Sequence, residues 1–251
     1  MRYYSIAIDG PAGAGKSTIA KQVAQRLAFI YVDTGAMYRA MALYFIRLGI
    51  SAEEEEKINR CVKDADVSIA YGEDGVQQVY LNGENVSGLI RTEEVGQMTS
   101  ATSRYAAVRE KMVSLQRELA KKASVVMDGR DIGTCVLPGA DLKVYMTASS
   151  KERAKRRFLE LTAKGIPCNI EEIERGIIER DERDMNREIA PLRQAEDAVF
   201  LDTSEMGIEE VAGSILELFE QRKKTSVSGQ NTEGDFRTCG IPEAGTGRRQ
   251  A

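Results

Sequence analysis

The 251-residue sequence contains no histidine. This absence excludes histidine general bases, Ser-His-Asp and Cys-His nucleophile systems, and most zinc sites. Carboxylates, lysines, arginines and a bound magnesium ion are left to carry any chemistry. Phosphoryl transfer is the reaction class that needs least beyond these groups.

Cysteine is also scarce, and its four positions lie far apart without a C-x-x-C pair. They are Cys61, Cys135, Cys168 and Cys239. Such spacing argues against both a zinc knuckle and a disulfide framework. It predicts a reduced, cytoplasmic setting.

Long apolar runs and an excess of positive charge are absent as well. The longest apolar run near the start, residues 40–46, lies between Arg39 and Arg47 and is far shorter than a membrane span. The first strand follows the N-terminus directly, so no signal peptide is evident. The net charge of −4 gives no general attraction for nucleic acid or a membrane surface. We therefore expect neither among the partners.

The sequence does contain a glycine-rich stretch, residues 10–17, that fits the pattern G-x-x-x-x-G-K-[ST] at every fixed position. Residues 6–8 before it predict a buried strand, and residues 16–28 predict the helix after it. In this context backbone N–H groups wrap a phosphate chain, Lys16 reaches the β- and γ-phosphates, and the Ser17 hydroxyl binds Mg²⁺. The predicted triphosphate-binding loop comprises Gly10, Pro11, Ala12, Gly13, Ala14, Gly15, Lys16, Ser17 and Thr18.

Alternating strands and helices predict an α/β fold with a parallel sheet. Further strands are predicted at residues 29–32, 124–128, 142–146 and 199–201. Residues just past the carboxyl ends of such strands face the ligand. The residues expected near the phosphate loop on this ground are Asp33, Asp128, Arg130 and Asp131.

The region from residue 51 to residue 83 has a different sequence pattern from the alternating strands and helices around it. A short acidic helix begins at residues 53–56, and two strand-like runs follow at 67–70 and 79–81, with glycine and Asn-Gly turns. They predict a small antiparallel subdomain inserted between parallel crossover units. Residues 99–103 are expected to lead into the next helix, which carries Arg109 beside its apolar face.

Two charged helices are predicted in the second half of the chain. The first follows Ser149, which has capping-box spacing to Glu152, and its cations are Arg153, Lys155, Arg156 and Arg157. This basic face is either solvated or a mobile cap over a triphosphate.

The second charged helix, residues 171–189, places Arg180, Asp184 and Arg187 on one face, with surface ion pairing as the simpler interpretation. A closing helix is predicted at 208–219. From about residue 225 the composition predicts a disordered tail, 225–251.

Four motifs occur along the chain in this order: GPAGAGKS at 10–17, DTGAMYR at 33–39, DGRDIGT at 128–134 and ERDERDMNR at 179–187. Taken together, they resemble the motifs of the bacterial cytidylate kinases. The resemblance covers about residues 1–222. The combination is highly specific, whereas the phosphate loop alone fits many nucleotidases and kinases.

This resemblance implies transfer of the γ-phosphoryl group of ATP to CMP or dCMP, with Mg²⁺, in pyrimidine nucleotide metabolism. It implies an adenylate-kinase-like P-loop fold, a three-layer α/β sandwich in one domain, residues 1–222. The parallel-sheet core would comprise residues 1–35, 105–148 and 190–222. The monophosphate-binding region with its insert would span about 36–104 and a small lid about 149–170. We expect a monomer whose partners are ATP, CMP and dCMP.

The resemblance also carries site residues over to this chain. The predicted acceptor site comprises Thr34, Arg39, Ser100, Arg109, Arg130, Asp131, Arg180, Asp184 and Arg187. The predicted catalytic groups are Lys16, Arg130, Asp131 and Arg157, and Arg153 is expected to join the ATP-binding loop.

Within this acceptor site, Arg39 and Arg130 would hold the phosphate, with Arg187 close by, since arginine forks suit an oxyanion. Asp131 would accept from the exocyclic amine of cytosine, with Arg109 and the hydroxyls of Thr34 and Ser100 in support. The pentose contacts would come from Arg180 and Asp184.

Two other functions stay open. A small-molecule kinase acting on shikimate or gluconate would not obviously need the insert or Asp131. A non-enzymatic nucleotide-binding switch is the other, although a GTPase usually carries an Asn-Lys-x-Asp guanine reader and this sequence has none.

Overall fold

The computed structural model describes residues 2–73 and 75–228, and it consists of alternating strands and helices. In chain order, the strands are β1 (Ser5–Asp9), β2 (Ile30–Asp33), β3 (Val67–Tyr71), β4 (Gln77–Leu81), β5 (Glu84–Asn85), β6 (Val125–Gly129), β7 (Leu142–Thr147) and β8 (Val199–Asp202). The α-helices are α1 (Lys16–Leu27), α2 (Thr34–Arg47), α3 (Glu55–Cys61), α4 (Glu93–Thr102), α5 (Ala106–Lys122), α6 (Ser150–Ala163), α7 (Ile170–Met185) and α8 (Ile208–Ser228). A 3-10 turn (Val62–Asp64) and a π-helix (Ile132–Val136) complete the set.

Five of the strands form a parallel sheet in the order β2-β6-β1-β7-β8. β1 lies at its centre, with Ile6 opposite Val126 on one side and Leu142 on the other. Ile6, Ala7 and Ile8 have no exposed surface, as expected for a central parallel strand covered on both faces.

Helices cover both faces of the sheet. On one face, Ile19 and Val23 of α1 pack with Phe219 of α8. On the other face, Met37 of α2 and Met112 of α5 belong to a second buried cluster. Each fully buried side chain of this size contributes about 1.5–3 kcal/mol. The three-layer α/β sandwich predicted from the sequence is confirmed.

The predicted antiparallel insert is present as a three-stranded sheet, β3-β4-β5. Its inner residues share the buried cluster of α2, so it extends the core of the domain. The insert also contacts the edge strand β2: Gln77 Oε1 accepts a 2.8 Å hydrogen bond from the N–H of Asp33, and the Tyr71 hydroxyl donates to the carbonyl oxygen of Tyr31 at 2.8 Å. These contacts fix the start of α2 relative to the insert.

Residues 99–103 were predicted to lead into a helix, but residues 99–102 lie within α4, which the sequence analysis missed. Thr99 and Thr102 donate their hydroxyls to the carbonyl oxygens of Val95 and Met98. Such back-bonding residues are poor helix formers. Packing against α2 stabilises the helix instead.

The charged helix predicted at 171–189 is α7, and it ends at Met185. Arg187 therefore lies beyond the helix rather than on its face, which corrects the predicted i, i+7 placement. The chain turns back at this point, and the N–H of Leu192 donates to the carbonyl oxygen of Asp184 at 2.8 Å. At the start of α6, Ser149 Oγ accepts from the N–H of Glu152, as the capping spacing predicted.

The last helix, α8, continues to Ser228 instead of ending near residue 219. Residues 225–228 are thus helical rather than part of a disordered tail, and the rest of the predicted tail lies outside the described residues. Within the described ranges, no helix is both long enough and apolar enough to cross a membrane.

Candidate active site

The phosphate loop, residues 10–17, joins β1 to α1 at the carboxyl end of the sheet. Gly10 has a φ of +148°, and a Cβ there would lie 1.9 Å from the carbonyl oxygen of Met146, so only glycine fits. Gly13 and Gly15 have φ values of +76° and +86°, which glycine adopts without strain. Because α1 begins at the end of the loop, the positive end of the helix dipole lies at the same site.

Lys16 lies folded against this loop. It is only 5% exposed, and its ammonium group donates a 2.7 Å hydrogen bond to the carbonyl oxygen of Pro11. Burial, followed by the nearby charge of Arg130, lowers the pKa of Lys16. A phosphate oxygen would be a stronger partner than the neutral carbonyl, because both groups would then be charged.

Ser17 and Asp128 form the candidate metal position. Ser17 Oγ donates to Asp128 Oδ2 at 2.8 Å, and the Tyr31 hydroxyl donates to Asp128 Oδ1 at 2.8 Å. Burial raises the pKa of Asp128, and the charge of Asp33 adds to this effect. Over residues 2–73 and 75–228, no group of three or more acidic, Cys or His side chains could hold a metal alone. The hydroxyl and carboxylate oxygens fit a magnesium ion that shares its ligands with substrate phosphates.

Asp9 holds the turn that carries Arg130 and Asp131. Its two carboxylate oxygens accept hydrogen bonds from the N–H groups of Ile132 and Gly133, both at 2.7 Å. Burial raises the pKa of Asp9 to about 6, although the two N–H groups act to lower it. Since Asp9 directly precedes the phosphate loop, a single residue connects that loop to the turn after β6.

The predicted base-reading residues lie around this turn. Arg109 of α5 donates to Asp131, and their side chains are 6% and 8% exposed. The Thr34 hydroxyl donates to the carbonyl oxygen of Asp128 at 2.6 Å. Ser100 Oγ on α4 is buried and has no hydrogen-bond partner among the described residues. The pocket thus combines a buried ion pair with an unsatisfied hydroxyl.

Four of the five arginines predicted at the acceptor, Arg39, Arg130, Arg180 and Arg187, lie close together, and besides burial the charge of Arg130 helps to lower the pKa of each of the other three. Arg130 Nε donates to Asp184 Oδ2 at 2.9 Å, and Arg187 Nη2 lies 3.8 Å from Asp184 Oδ1. Burial, followed by the charge of Arg130, lowers the pKa of Arg180 to about 10. Burial also lowers the pKa of Arg39. We call Arg39, Arg130, Arg180 and Arg187 with Asp184 the arginine cluster.

This cluster carries more positive charge than its own carboxylate can neutralise. Within the described part of the chain, Arg180 Nε and Arg187 Nη2 are buried without a hydrogen-bond partner. Although burial alone would raise the pKa of Asp184, Arg130 and Arg187 hold it below its ordinary value. Asp184 is therefore ionised at neutral pH, and the unsatisfied guanidinium groups suit an additional anion.

The helices α6 and α7 pack together and reach the phosphate loop. Arg153 of α6 has a side chain that is 7% exposed, and it donates to the carbonyl oxygen of Ala12 at 2.9 Å and lies 2.6 Å from Asp181 Oδ2. Arg157 has a side chain that is 49% exposed and pairs with Glu160 at 2.8 Å. Of the two predicted lid arginines, Arg153 is the one in contact with the loop.

Sequence reasoning assigned no individual site role to several residues that take part in this site: Asp9, Tyr31, Ser103, Asp181 and Arg156, the last of which it named only among the cations of a basic helix face. Arg156, for example, lies 3.5 Å from the carbonyl oxygen of Ala14 and donates to that of Thr203 at 2.7 Å. A charged residue on an amphipathic helix has the same sequence pattern whether it is solvated or buried in a contact. Only Asp9 had a usable signal, because it ends a buried parallel strand where ligands bind.

The comparisons with known proteins agree with this geometry. The cytidylate kinase family profile matches residues 6–221. A cytidylate kinase from Caldicellulosiruptor bescii is 49% identical over 227 residues, which cover 90% of this chain and 100% of the relative. One from Bacillus subtilis is 47% identical over 220 residues, which cover 88% and 98%.

Among solved structures, a gluconokinase from Sinorhizobium meliloti aligns with 91% of this chain and 100% of its own, at 13% identity and a TM-score of 0.48. This likeness is too slight to carry an argument. The family profile and the curated relatives, in contrast, span nearly all of the described residues and include the phosphate loop, the turn after β6 and α7. The chain therefore belongs to the cytidylate kinase family, which confirms the family and the kinase class expected from its motifs.

Proposed function

We propose that this chain transfers the γ-phosphoryl group of ATP to CMP or dCMP, giving CDP or dCDP and ADP. The observation that carries the proposal is the closeness of two anion sites, the phosphate loop and the arginine cluster. After burial, the charge of Arg130 in the cluster is the next cause of the lowered pKa of Lys16 in the loop, so the two sites lie within electrostatic range of each other. A nucleoside monophosphate kinase needs such a pair of sites, because two phosphate chains of like charge must be brought together and aligned.

The proposed donor site consists of residues 10–18 with Arg153. Backbone N–H groups of the loop and Lys16 would hold the β- and γ-phosphates. Ser17, supported by Asp128, would bind Mg²⁺ together with phosphate oxygens. The bound cation would neutralise charge on the β- and γ-phosphoryl oxygens.

The proposed acceptor phosphate site is the arginine cluster. Arg39, Arg130 and Arg187 would bind the phosphate oxygens, and Arg180 and Asp184 would contact the pentose. The unsatisfied Nε of Arg180 and Nη2 of Arg187 support this assignment, because a bound CMP would give both groups an acceptor.

The proposed base site lies at Thr34, Ser100, Arg109 and Asp131. Arg109 occupies Asp131 Oδ2, so Oδ1 is the oxygen that would accept from the cytosine amine. The unsatisfied Ser100 hydroxyl would bind a further polar atom of the base. Uracil has a carbonyl where cytosine has the amine, and two acceptors facing each other would reject it.

The chemistry proposed is an in-line transfer without a covalent enzyme intermediate. A phosphate dianion is already a competent nucleophile, so no general base is required, in accord with the lack of histidine. Lys16, Arg130 and Arg153 would neutralise the charge that spreads over the transferring group. Arg157 would act as a second lid cation, since its charge contributes to the lowered pKa of Arg39.

The test is ADP release from Mg-ATP by the purified chain with CMP, dCMP, UMP, AMP, shikimate or no acceptor. Strong turnover with CMP and dCMP and little with UMP or AMP is the expected result. Comparable rates with UMP would still support a nucleotide kinase but would refute the proposed role of Asp131 in selecting cytosine. Turnover with shikimate alone would favour a small-molecule kinase, and slow hydrolysis without any acceptor dependence would favour a nucleotide switch.

We also propose a monomer in the cytoplasm, acting in pyrimidine nucleotide metabolism with ATP, CMP and dCMP as its partners. The acidic balance of the chain, with 39 Asp and Glu against 35 Lys and Arg, supports small-molecule partners over nucleic acid or a membrane surface. The arginines that bind anions are instead concentrated in the cluster.

A further inference from the structure

The helices α6 and α7 contact the phosphate loop at Ala12 through an ion pair between them. Asp181 Oδ1 of α7 accepts from the N–H of Ala12 at 3.4 Å, and Asp181 Oδ2 lies 2.6 Å from Arg153 Nη1 of α6. The same nitrogen of Arg153 donates to the carbonyl oxygen of Ala12 at 2.9 Å. The pair is largely buried, with side chains that are 13% and 7% exposed. Both polar groups of Ala12 are therefore engaged, the N–H by Asp181 of α7 and the carbonyl oxygen by Arg153 of α6.

The surroundings of this carboxylate resemble those of a bound phosphate oxygen. Ala12 belongs to the glycine-rich loop, whose N–H groups form an anion-binding concavity. An arginine fork is the other usual phosphate partner, and Arg153 supplies it here. The Asp181 carboxylate thus accepts from the Ala12 N–H and pairs with Arg153, the two donors that a phosphate oxygen of a bound triphosphate would also use.

The position of Asp181 along α7 connects the two halves of the site. The preceding residue, Arg180, lies in the arginine cluster, where Arg130 helps to lower its pKa. Asp181 itself contacts the donor loop. Two consecutive residues of one helix therefore reach the proposed acceptor and donor sites.

We propose that Asp181 is a positioning residue: it holds Arg153 on the phosphate loop before ATP binds and then gives up the Ala12 N–H to an oxygen of the triphosphate. Asp181 Oδ2 would keep its contact with Arg153 while Oδ1 releases the N–H, so Arg153 would stay on the loop and reach the phosphate oxygen as well. The inference rests on the proposed function, since it requires a triphosphate at this loop. It predicts that Asp181 lowers ATP affinity by competition and raises turnover by orienting Arg153.

The decisive variant is Asp181→Asn, which keeps the shape of the side chain and removes its charge. Isothermal titration calorimetry with the Mg²⁺ complex of β,γ-imido-ATP would give the dissociation constant. We expect it to fall about three- to tenfold, while kcat with CMP falls about tenfold and the KM for CMP changes little. If Asp181 had a merely structural role, the substitution would weaken the binding of the ATP analogue and of CMP together.

Glu182→Gln is the matched control. It removes the same charge from the next residue of α7, whose side chain is exposed, and both constants should stay within about twofold of the unsubstituted chain. Asp181→Glu restores the charge and should return the dissociation constant to the original value, which keeps the test valid if Asp181→Asn folds poorly.

Weaker binding of the analogue by Asp181→Asn, or equal constants in Asp181→Asn and Glu182→Gln, would overturn the inference. Failure of the proposed function would look different. In that case the unsubstituted chain would not phosphorylate CMP at all, whatever the binding constants of the variants.

Discussion

Asp131 and Arg109 form a buried ion pair between the turn after β6 and the inner face of α5. Their positions are 22 residues apart, and neither side chain is more than 8% exposed. Removing one partner of a buried pair leaves an uncompensated charge and costs about 3–5 kcal/mol. The proposed base site is therefore also part of the stability of the fold.

Replacing Asp131 with Asn should change base selection far more than ATP binding. The substitution removes the negative acceptor that the cytosine amine needs, so the KM for CMP should rise at least about tenfold, with the KM for ATP within about twofold. The ratio of kcat/KM for CMP to that for UMP should fall as well. Steady-state kinetics with CMP and UMP would measure these constants, and thermal melts would report the stability of the variant. Equal increases in the KM for ATP and the KM for CMP would refute the base-reading role of Asp131.

Replacing Lys16 with Ala should abolish most turnover. The ammonium group lies buried at the phosphate loop, where its charge acts in a dry environment, so its removal should lower kcat about 10²-fold or more. Lys21→Ala provides a control lysine on the exposed face of α1. ADP release with CMP is the readout, and unchanged activity of Lys16→Ala would remove the central claim about the loop.

The two lid arginines should differ in their effects. Arg153 is buried on the loop, whereas Arg157 is half exposed and paired with Glu160. Arg153→Ala should therefore lower kcat about 10²-fold, and Arg157→Ala should lower it by about tenfold or less. Single-turnover rates for both variants would show which substitution slows phosphoryl transfer more. A larger loss of rate for Arg157→Ala would make Arg157, and not Arg153, the more important lid cation.

Asp9 should make stability depend on pH on the acid side of neutrality. Its pKa in the folded protein is about 6, above the ordinary value of 3.8, so the folded state binds the proton more tightly than the unfolded state. The stability gained from this proton is fully present below about pH 4 and is lost as the pH rises through about 6. The difference is about 3 kcal/mol.

Asp9→Asn cannot titrate and serves as the reference. Urea unfolding at pH 4 and pH 6.5 covers most of this transition and should show the unsubstituted chain losing about 2 kcal/mol relative to Asp9→Asn. A free-energy difference between the two proteins that does not vary with pH would show that Asp9 has an ordinary pKa.

The parts of the molecule that depend on short stretches of sequence were predicted well. The phosphate loop needs glycine at Gly10, where the carbonyl of Met146 leaves no room for a Cβ, and this requirement is visible in the spacing alone. The helix α4 was missed because Thr99 and Thr102 disfavour a helix locally, and packing against α2 overrides that preference. The end of α7 was misplaced because the chain turns back just after Met185, where the N–H of Leu192 donates to the carbonyl oxygen of Asp184.

By itself, then, the sequence determined the parallel α/β core, the phosphate loop and the family, because buried strands, glycine geometry and motif spacing are local patterns. Only the tertiary structure decided which charged residues meet. Arg153 reaches Ala12 across 141 positions, and Arg130 reaches Asp184 across 54. A charged side chain carries no local sign of whether it will be buried against an opposite charge or left in water, because that depends on how the helices pack.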